Sequence, residues 1–211
     1  MNRIIIIFLI LCGTALPAEE MKPLTAQEQD VISAKLADVA KNTTSISSSF
    51  RQIKNLNVLS EKINSSGVFY FKKENLIRWE YKKPYKYILL FNGSRVFIND
   101  GVKTSRFDAN ANRIFQQINS TILASMKGVV TESPDFAVSF FKIRNRFIVK
   151  LVPRSADLLK YISAIEIYFD NRYYSVMEVN LYEKSGDNTN IVFTNREFNK
   201  PLPDSLFNPV N

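Results

Sequence analysis

The sequence predicts a mainly β (α+β) fold, an antiparallel meander with a few helices inserted into it. Three observations carry this. From Gly67 to Gly101 the chain is broken at Lys73-Glu74-Asn75, Lys83-Pro84, Asn92-Gly93-Ser94 and Asn99-Asp100-Gly101. That is turn chemistry at roughly the 8 to 12 residue spacing of consecutive strands. Within that stretch Ile77, Trp79 and Tyr81 alternate with Arg78, Glu80 and Lys82, the period of a strand with one dry face and one facing water. Finally, the helical patterns stand between groups of strands instead of alternating with them, which excludes a doubly wound parallel sheet.

Taken in order, the chain opens with Arg3, the apolar run Ile4 to Leu11 and then small residues, the order of a secretory signal peptide. Residues 1–18 are expected to be removed, with cleavage after Ala15 or Ala18. The apolar run is too short to span a bilayer. The only cysteine, Cys12, follows Leu9-Ile10-Leu11, so a form lipid-anchored at Cys12 is the alternative. Otherwise Cys12 leaves with the signal peptide and the mature chain has no thiol, as suits an oxidising compartment. The formal charge is +8. Loss of Arg3 leaves 27 cations against 20 acids, or +7. A basic exported chain can meet anionic lipid headgroups or an acidic partner, and nucleic acid is not an expected ligand. Residues 19–211 contain no linker-like stretch and are read as one domain.

Thr25 to Ala40 reads as an amphipathic helix, with Ile32, Leu36 and Val39 on one stripe and Thr25 and Glu28 forming a capping box. The Ser/Thr tract ending at Ser49 should terminate it, and Ser49 to Val58 reads as the first strand. In the central stretch Val68 to Phe71 and Tyr87 to Phe91 are continuously apolar, so both faces of those strands need cover. An ordinary packed core and a ligand-lined face both satisfy that need. A second helical pattern runs from Asn110 to Lys127, with Ile114, Ile118, Ile122 and Met126 at steps of four and Gly128 as its stop. Strands resume at Phe136 to Ile143, Phe147 to Val152, Ile162 to Phe169, Ser175 to Glu183 and Asn190 to Asn195. The total is about ten strands with two to four helical pieces.

Catalytic chemistry has little to work with. The chain has no histidine, so His-based triads and ordinary zinc or copper sites cannot be built. It has no G-x-S-x-G elbow and no glycine-rich phosphate loop. Glu166 and Glu178 could form a carboxylate pair of the glycosidase kind, and Asp187 with Asn188 could suggest calcium, though a polar hairpin loop accounts for them better. No catalytic residue, metal site or cofactor is expected.

Several landmarks together resemble the LolA-like periplasmic carriers of outer-membrane lipoproteins. Ser48-Ser49-Phe50-Arg51-Gln52 after the helix is similar to the family's F-x-Q. Gly67-Val68-Phe69-Tyr70-Phe71, Leu76-Ile77-Arg78-Trp79-Glu80-Tyr81, Lys83-Pro84 and Asn92-Gly93 follow its order of glycine-led strand, aromatic strand, proline turn and hairpin. Ile191-Val192-Phe193-Thr194-Asn195 and Asn199-Lys200-Pro201-Leu202-Pro203 are similar to its closing elements.

The resemblance implies an incomplete antiparallel β-barrel whose helices lie over the concave face as a lid, with a hydrophobic cavity between. The implied function is that of a periplasmic chaperone that binds the acyl chains of lipoproteins and shuttles them from inner to outer membrane. On this reading Phe69, Phe71, Ile77, Trp79, Tyr81, Leu89 and Phe91 form the acyl-chain cavity. The lid helices face it with Ile32, Leu36, Val39, Ile114, Ile118, Ile122 and Met126. The implied partners are acylated lipoproteins, an inner-membrane lipoprotein-releasing transporter and an outer-membrane receptor, and the protein is expected to be a monomer. A same-fold envelope module that binds or senses lipid or glycolipid is the alternative. Where the best-known carriers have an Arg-Pro pair, this chain has Lys73-Glu74. A lid latch would therefore fall to Lys73, which lacks Arg's planar fork and would hold less firmly or not at all. Because Ile77 is assigned to the cavity, Ile77→Glu is expected to fold and to lose cargo handling.

Overall fold

The computed structural model describes residues 20–93, 95–108 and 135–209. The expected signal peptide with Cys12, and the second lid helix with Ile114, Ile118, Ile122 and Met126, lie outside the described residues.

Helix α1 (Ala26–Asn42) starts where the capping box places it. The Thr25 N–H donates to Glu28 Oε2 at 2.8 Å and Glu28 N–H donates back to Thr25 Oγ1 at 3.3 Å, so two N-terminal amides that lack helical partners are satisfied reciprocally. Twelve strands follow the topology of one open sheet: β1 (Lys22–Pro23), β2 (Ser45–Leu56), β3 (Glu61–Lys72), β4 (Leu76–Lys83), β5 (Tyr87–Asn92), β6 (Arg95–Asn99), β7 (Thr104–Asp108), β8 (Phe136–Ile143), β9 (Arg146–Pro153), β10 (Ile162–Asp170), β11 (Val176–Glu183) and β12 (Asn188–Phe198). A short helix α2 (Ala156–Leu159) is capped by Ser155, and a 3-10 helix spans Asp204–Phe207.

The strand order is β1-β8-β9-β10-β11-β12-β2-β3-β4-β5-β6-β7. Two antiparallel meanders, β2 to β7 and β8 to β12, are sewn together where β12 pairs with β2, with Ile191 opposite Gln52 and Phe193 opposite Phe50. Among the described residues the sheet does not close into a barrel, as the incomplete-barrel expectation requires. Its hairpins turn where the sequence indicates, with Glu74 and Asn75 both in the left-handed region at φ 77° and 65°.

Two corrections concern the ends of elements. The Ser/Thr tract is not a loop. The first long strand begins at Ser45, because each residue there finds backbone partners on β3 and most also on β12. Strands β1 and β7 have no apolar period to announce them; β1 is two residues long and is defined only by pairing with Phe141 and Lys142.

The face carrying Arg78, Glu80 and Lys82 was expected to need water, and at Arg78 it does not. Arg78 is buried; its Nη1 donates to Leu206 O at 3.1 Å, and Nε and Nη2 donate to Glu80 Oε2 at 3.1 and 2.9 Å. The 3-10 helix covers it, with Phe207 buried beside it, so a planar cation here has its donors satisfied by protein.

Two clusters of the core lie on the face that α1 covers. One, beneath α1, contains Leu24, Leu36, Phe140, Phe147, Val149 and Phe169. The other is aromatic and contains Phe50, Phe69, Phe71, Ile77, Trp79, Phe91 and Val96. Its rings meet edge-on or tilted, Phe50 to Trp79 at 5.1 Å and Phe69 to Trp79 at 4.7 Å, the arrangement that the ring quadrupole favours. No helix of the described residues is long and apolar enough to cross a membrane.

Candidate ligand cavity

Between the two core clusters lies a cavity of about 240 Å³. Its roof is α1, through Leu36, Val39 and Ala40. Its floor is the seam of the sheet, where Ile165 and Ile167 of β10, Val179 and Leu181 of β11 and Ile191 of β12 point upward. Phe69 and Trp79 close one side and Phe169 the other. Strands β10 and β11 line the floor with aliphatic side chains, and β12 adds Ile191 beside the rings of Phe193 and Phe198. Val179, Leu181, Ile191 and Phe193 pack sideways against the two core clusters and stay only part-buried among the described residues, because the cavity lies beside them.

Polar groups reach the wall at few places. Arg196 lines it, brought there where β12 slips register between Thr194 and Glu197 and Asn195 takes φ 51°. Its Nη1 lies 3.0 Å from Asp170 Oδ2 and 2.8 Å from Ser175 Oγ, and it also donates to Val176 O at 3.0 Å. That pairing leaves no net charge at the wall, so the space suits an apolar ligand and offers little to an anionic one.

The residues that sequence reasoning placed in the cavity divide into three groups. Phe69 and Trp79 do line it. Phe71, Ile77 and Phe91 share their face but sit in the filled aromatic cluster and not on the cavity wall; Ile77 is 0% exposed. Tyr81 and Leu89 pack at that cluster's margin. The Tyr81 hydroxyl donates to Gln52 Oε1 at 2.9 Å, and burial, with Tyr87 nearby, pushes its pKa up to about 12. Alternation assigns a side chain to a face, but whether a neighbour fills the space above it depends on distant strands.

On α1, Leu36 and Val39 face the cavity and Ile32 packs on the cluster beneath the helix. Lys73 stands in the β3–β4 turn, and its Nζ donates to Lys41 O in the last turn of α1 at 2.8 Å. It thus satisfies one of the carbonyls left over at a helix C-terminus, by a single exposed contact. Lys73→Ala should shift stability by no more than about 0.5 kcal/mol, as surface changes usually do, which a thermal melt will read.

The other end of the helix is tied by Glu28, whose Oε1 accepts from Lys142 Nζ at 2.6 Å. That hydrogen bond, then those from the Thr25 backbone and side chain, hold the Glu28 pKa at about 2, below the ordinary 4.5. A depressed folded-state pKa stabilises the fold above the unfolded value, and the contribution is lost as pH falls through the folded value. The tie is therefore expected to weaken between pH 4.5 and about 2. Thermal melts across that window should show a larger acid loss in the wild type than in Lys142→Ala.

The seam residues of β10, β11 and β12 were missed as site residues. Ile165 and Ile167 do alternate around Glu166, and Ile191 and Phe193 flank the apolar Val192, but nothing local says that β12 meets β2. Glu166 and Glu178 lie on the opposite, outer face. Glu166 is buried against Lys150 at 3.1 Å and the Tyr168 and Tyr182 hydroxyls, both at 3.2 Å. Glu178 is 2.7 Å from Asn190 Nδ2 and 3.5 Å from Arg146. Neither is placed to flank a bond in the cavity. Asp187 accepts from the Asn57 N–H at 2.9 Å and so belongs to the hairpin. Among the described residues no group of three His, Cys, Asp or Glu side chains could hold a metal ion.

The family model described as "Outer membrane lipoprotein carrier protein LolA" matches residues 41–210. No curated protein matches the chain. Similar solved structures include an uncharacterized conserved protein from Thermus thermophilus, at 12% identity and TM-score 0.51, covering 86% of this chain and 93% of that one. A LolA superfamily protein from Nitrosomonas europaea has 10% identity and TM-score 0.45, covering 88% and 98%. A DUF1329 family protein from Desulfovibrio piger has 12% identity and TM-score 0.48, covering 89% and 98%. At these identities the likeness is one of fold.

Proposed function

The chain belongs to the LolA family of outer membrane lipoprotein carrier proteins, and on that premise we propose that it is a periplasmic carrier that holds lipoprotein acyl chains beneath α1 and takes them from inner to outer membrane. The observation that carries this reading is the cavity: a nearly wholly apolar space at the seam of the sheet, roofed by a helix. Burying a methylene is worth about 0.8 kcal/mol, so a chain of about a dozen gains roughly 10 kcal/mol on leaving water. A carrier has to match most of that, and a dry aliphatic floor is the way to do so without charge.

Release needs a state in which the chain binds less well, or a receiver that binds it better. Helix α1 is suited to move. Leu36 is its one fully buried residue, and its ends are tied by exposed contacts, Glu28–Lys142 at one and Lys73–Lys41 and Asn199–Asn42 at the other. An inner-membrane transporter that loads the chain and an outer-membrane receptor that accepts it are the partners this cycle requires. Residues 1–18 would direct export and be removed in the course of it.

Trp79 is the only tryptophan and lines the cavity, which provides a direct assay. Nitroxide-labelled stearic acid is expected to quench its fluorescence saturably, and Val179→Phe, which fills the floor, should abolish the quenching. Absence of saturable quenching in the wild type would overturn the reading. Mass spectrometry of protein purified from its host should find acylated protein; free lipid alone would support instead a lipid-binding module on the same fold.

A further inference from the structure

We propose that the β4–β5 and β6–β7 turns form a docking tip for an anionic membrane surface. In a meander, turns alternate between the two ends of the sheet, so these two share an end. Only β5 and β6 separate them, which places the turns about 10 Å apart. They touch: a Cβ added at Gly101 would stand 3.9 Å from Lys86 O. Together they expose Lys82, Lys83, Tyr85, Lys86, Val102 and Lys103. Tyr85 is 81% and Val102 93% exposed, extreme values for large apolar side chains. The one acid in the pair of turns, Asp100, spends its carboxylate on the Val102 and Lys103 N–H groups at 3.0 and 2.9 Å. It shapes the turn and stays ionised, and the four lysines still outnumber its one charge and set a net positive field.

A bilayer fits this chemistry better than a protein does. Two apolar side chains on turn tips make far less than the roughly 800 Å² per partner of a stable protein interface. A tyrosine ring suits the headgroup level, a valine the acyl boundary just beneath it, and lysine stems can lie along apolar surface while their ammonium groups meet lipid phosphates. The tip is also well placed. Strand β4 carries Trp79 in the cavity wall and ends at Lys83, about 13 Å further along the strand, with Tyr85 in the turn just beyond. Docking would therefore present the cavity to the membrane surface edge-on, whatever the cavity holds, and the proposal stands apart from the carrier reading.

Flotation of the mature chain with vesicles of phosphatidylcholine, alone or mixed with phosphatidylglycerol, tests it. Binding is expected only to the mixed vesicles and should fall as salt is raised. At about fivefold per lysine, Lys83→Gln with Lys86→Gln should lower the partition roughly 25-fold. The equally charged control, Lys62→Gln with Lys184→Gln on the neighbouring hairpins, should lower it much less. Tyr85→Ser with Val102→Ser should weaken binding without changing charge. All these positions are exposed, so the variants should melt as the wild type does. A wild type that stays with neither vesicle, equal losses in the two lysine pairs, or unchanged binding by the Tyr85 and Val102 variant would each overturn the proposal.

Discussion

Valine at Gly67 is expected to abolish folding, and even Gly67→Ala to cost about 3 kcal/mol or more. Gly67 lies in the middle of β3, opposite Phe50 on β2 and Tyr81 on β4. A β-carbon there would stand 1.9 Å from Glu80 O and 2.9 Å from Phe50 Cε1. The first is backbone, held in the β3–β4 ladder where the register shifts between Ser66 and Gly67, and cannot swing aside. The second belongs to a ring wedged against Trp79 and Tyr81 at 5.1 and 5.0 Å. Relief would require β4 to move away from β3 and would open the aromatic cluster. Domains of this kind are stable by about 5–15 kcal/mol, so the alanine variant should melt far below the wild type and the valine variant should be insoluble. Gly93 supplies the contrast. It sits in a turn at φ 60° with nothing near its missing side chain, and Gly93→Ala should cost only about 1 kcal/mol from backbone strain. Urea titrations of both alanine variants make the comparison. A Gly67→Ala protein as stable as Gly93→Ala would show that β4 can yield.

What was legible in the chain was what neighbours in sequence decide. The capping box at Thr25 and Glu28, the turns at Lys73 to Asn75 and Asn92-Gly93, and the alternation through Ile77, Trp79 and Tyr81 all act over a few residues and were read correctly. The seam was not legible, because it joins residues such as Gln52 and Ile191 that no local signal connects. The cavity depends on that seam. Its floor forms where the largely aliphatic inner faces of β10 and β11, with Ile191 of β12, come to lie between the aromatic cluster and the phenylalanines under α1. The cover over Arg78 is hidden for the same reason, since it comes from Leu206 and Phe207 near the far end of the chain. In each case the sequence named the face of a strand and left open what lies against it.

That distinction reverses the expected behaviour of Ile77→Glu. Sequence reasoning assigned Ile77 to the cavity wall and expected a folded variant unable to handle cargo. In the structure Ile77 is 0% exposed, pairs with Phe71 on β3 and Phe91 on β5, and belongs to the filled cluster. A carboxylate there would have no cationic partner and no water, at a cost of several kcal/mol even after protonation, so the variant should fail to fold or melt far below the wild type. Ile191→Glu puts the same side chain on the same face of the same sheet, but on a part-buried residue of the cavity wall. Water can follow it into the open space, and the fold should survive with a loss of about 1–2 kcal/mol. The carboxylate should then exclude an apolar chain, so quenching of Trp79 by nitroxide-labelled stearic acid should vanish. Circular-dichroism melts and the quenching assay on both variants read the two effects separately. A stable Ile77→Glu protein would show that the space beside Trp79 reaches deeper than the aromatic cluster allows. A folded Ile191→Glu protein that still bound the probe would show that the chain is held elsewhere than on the seam.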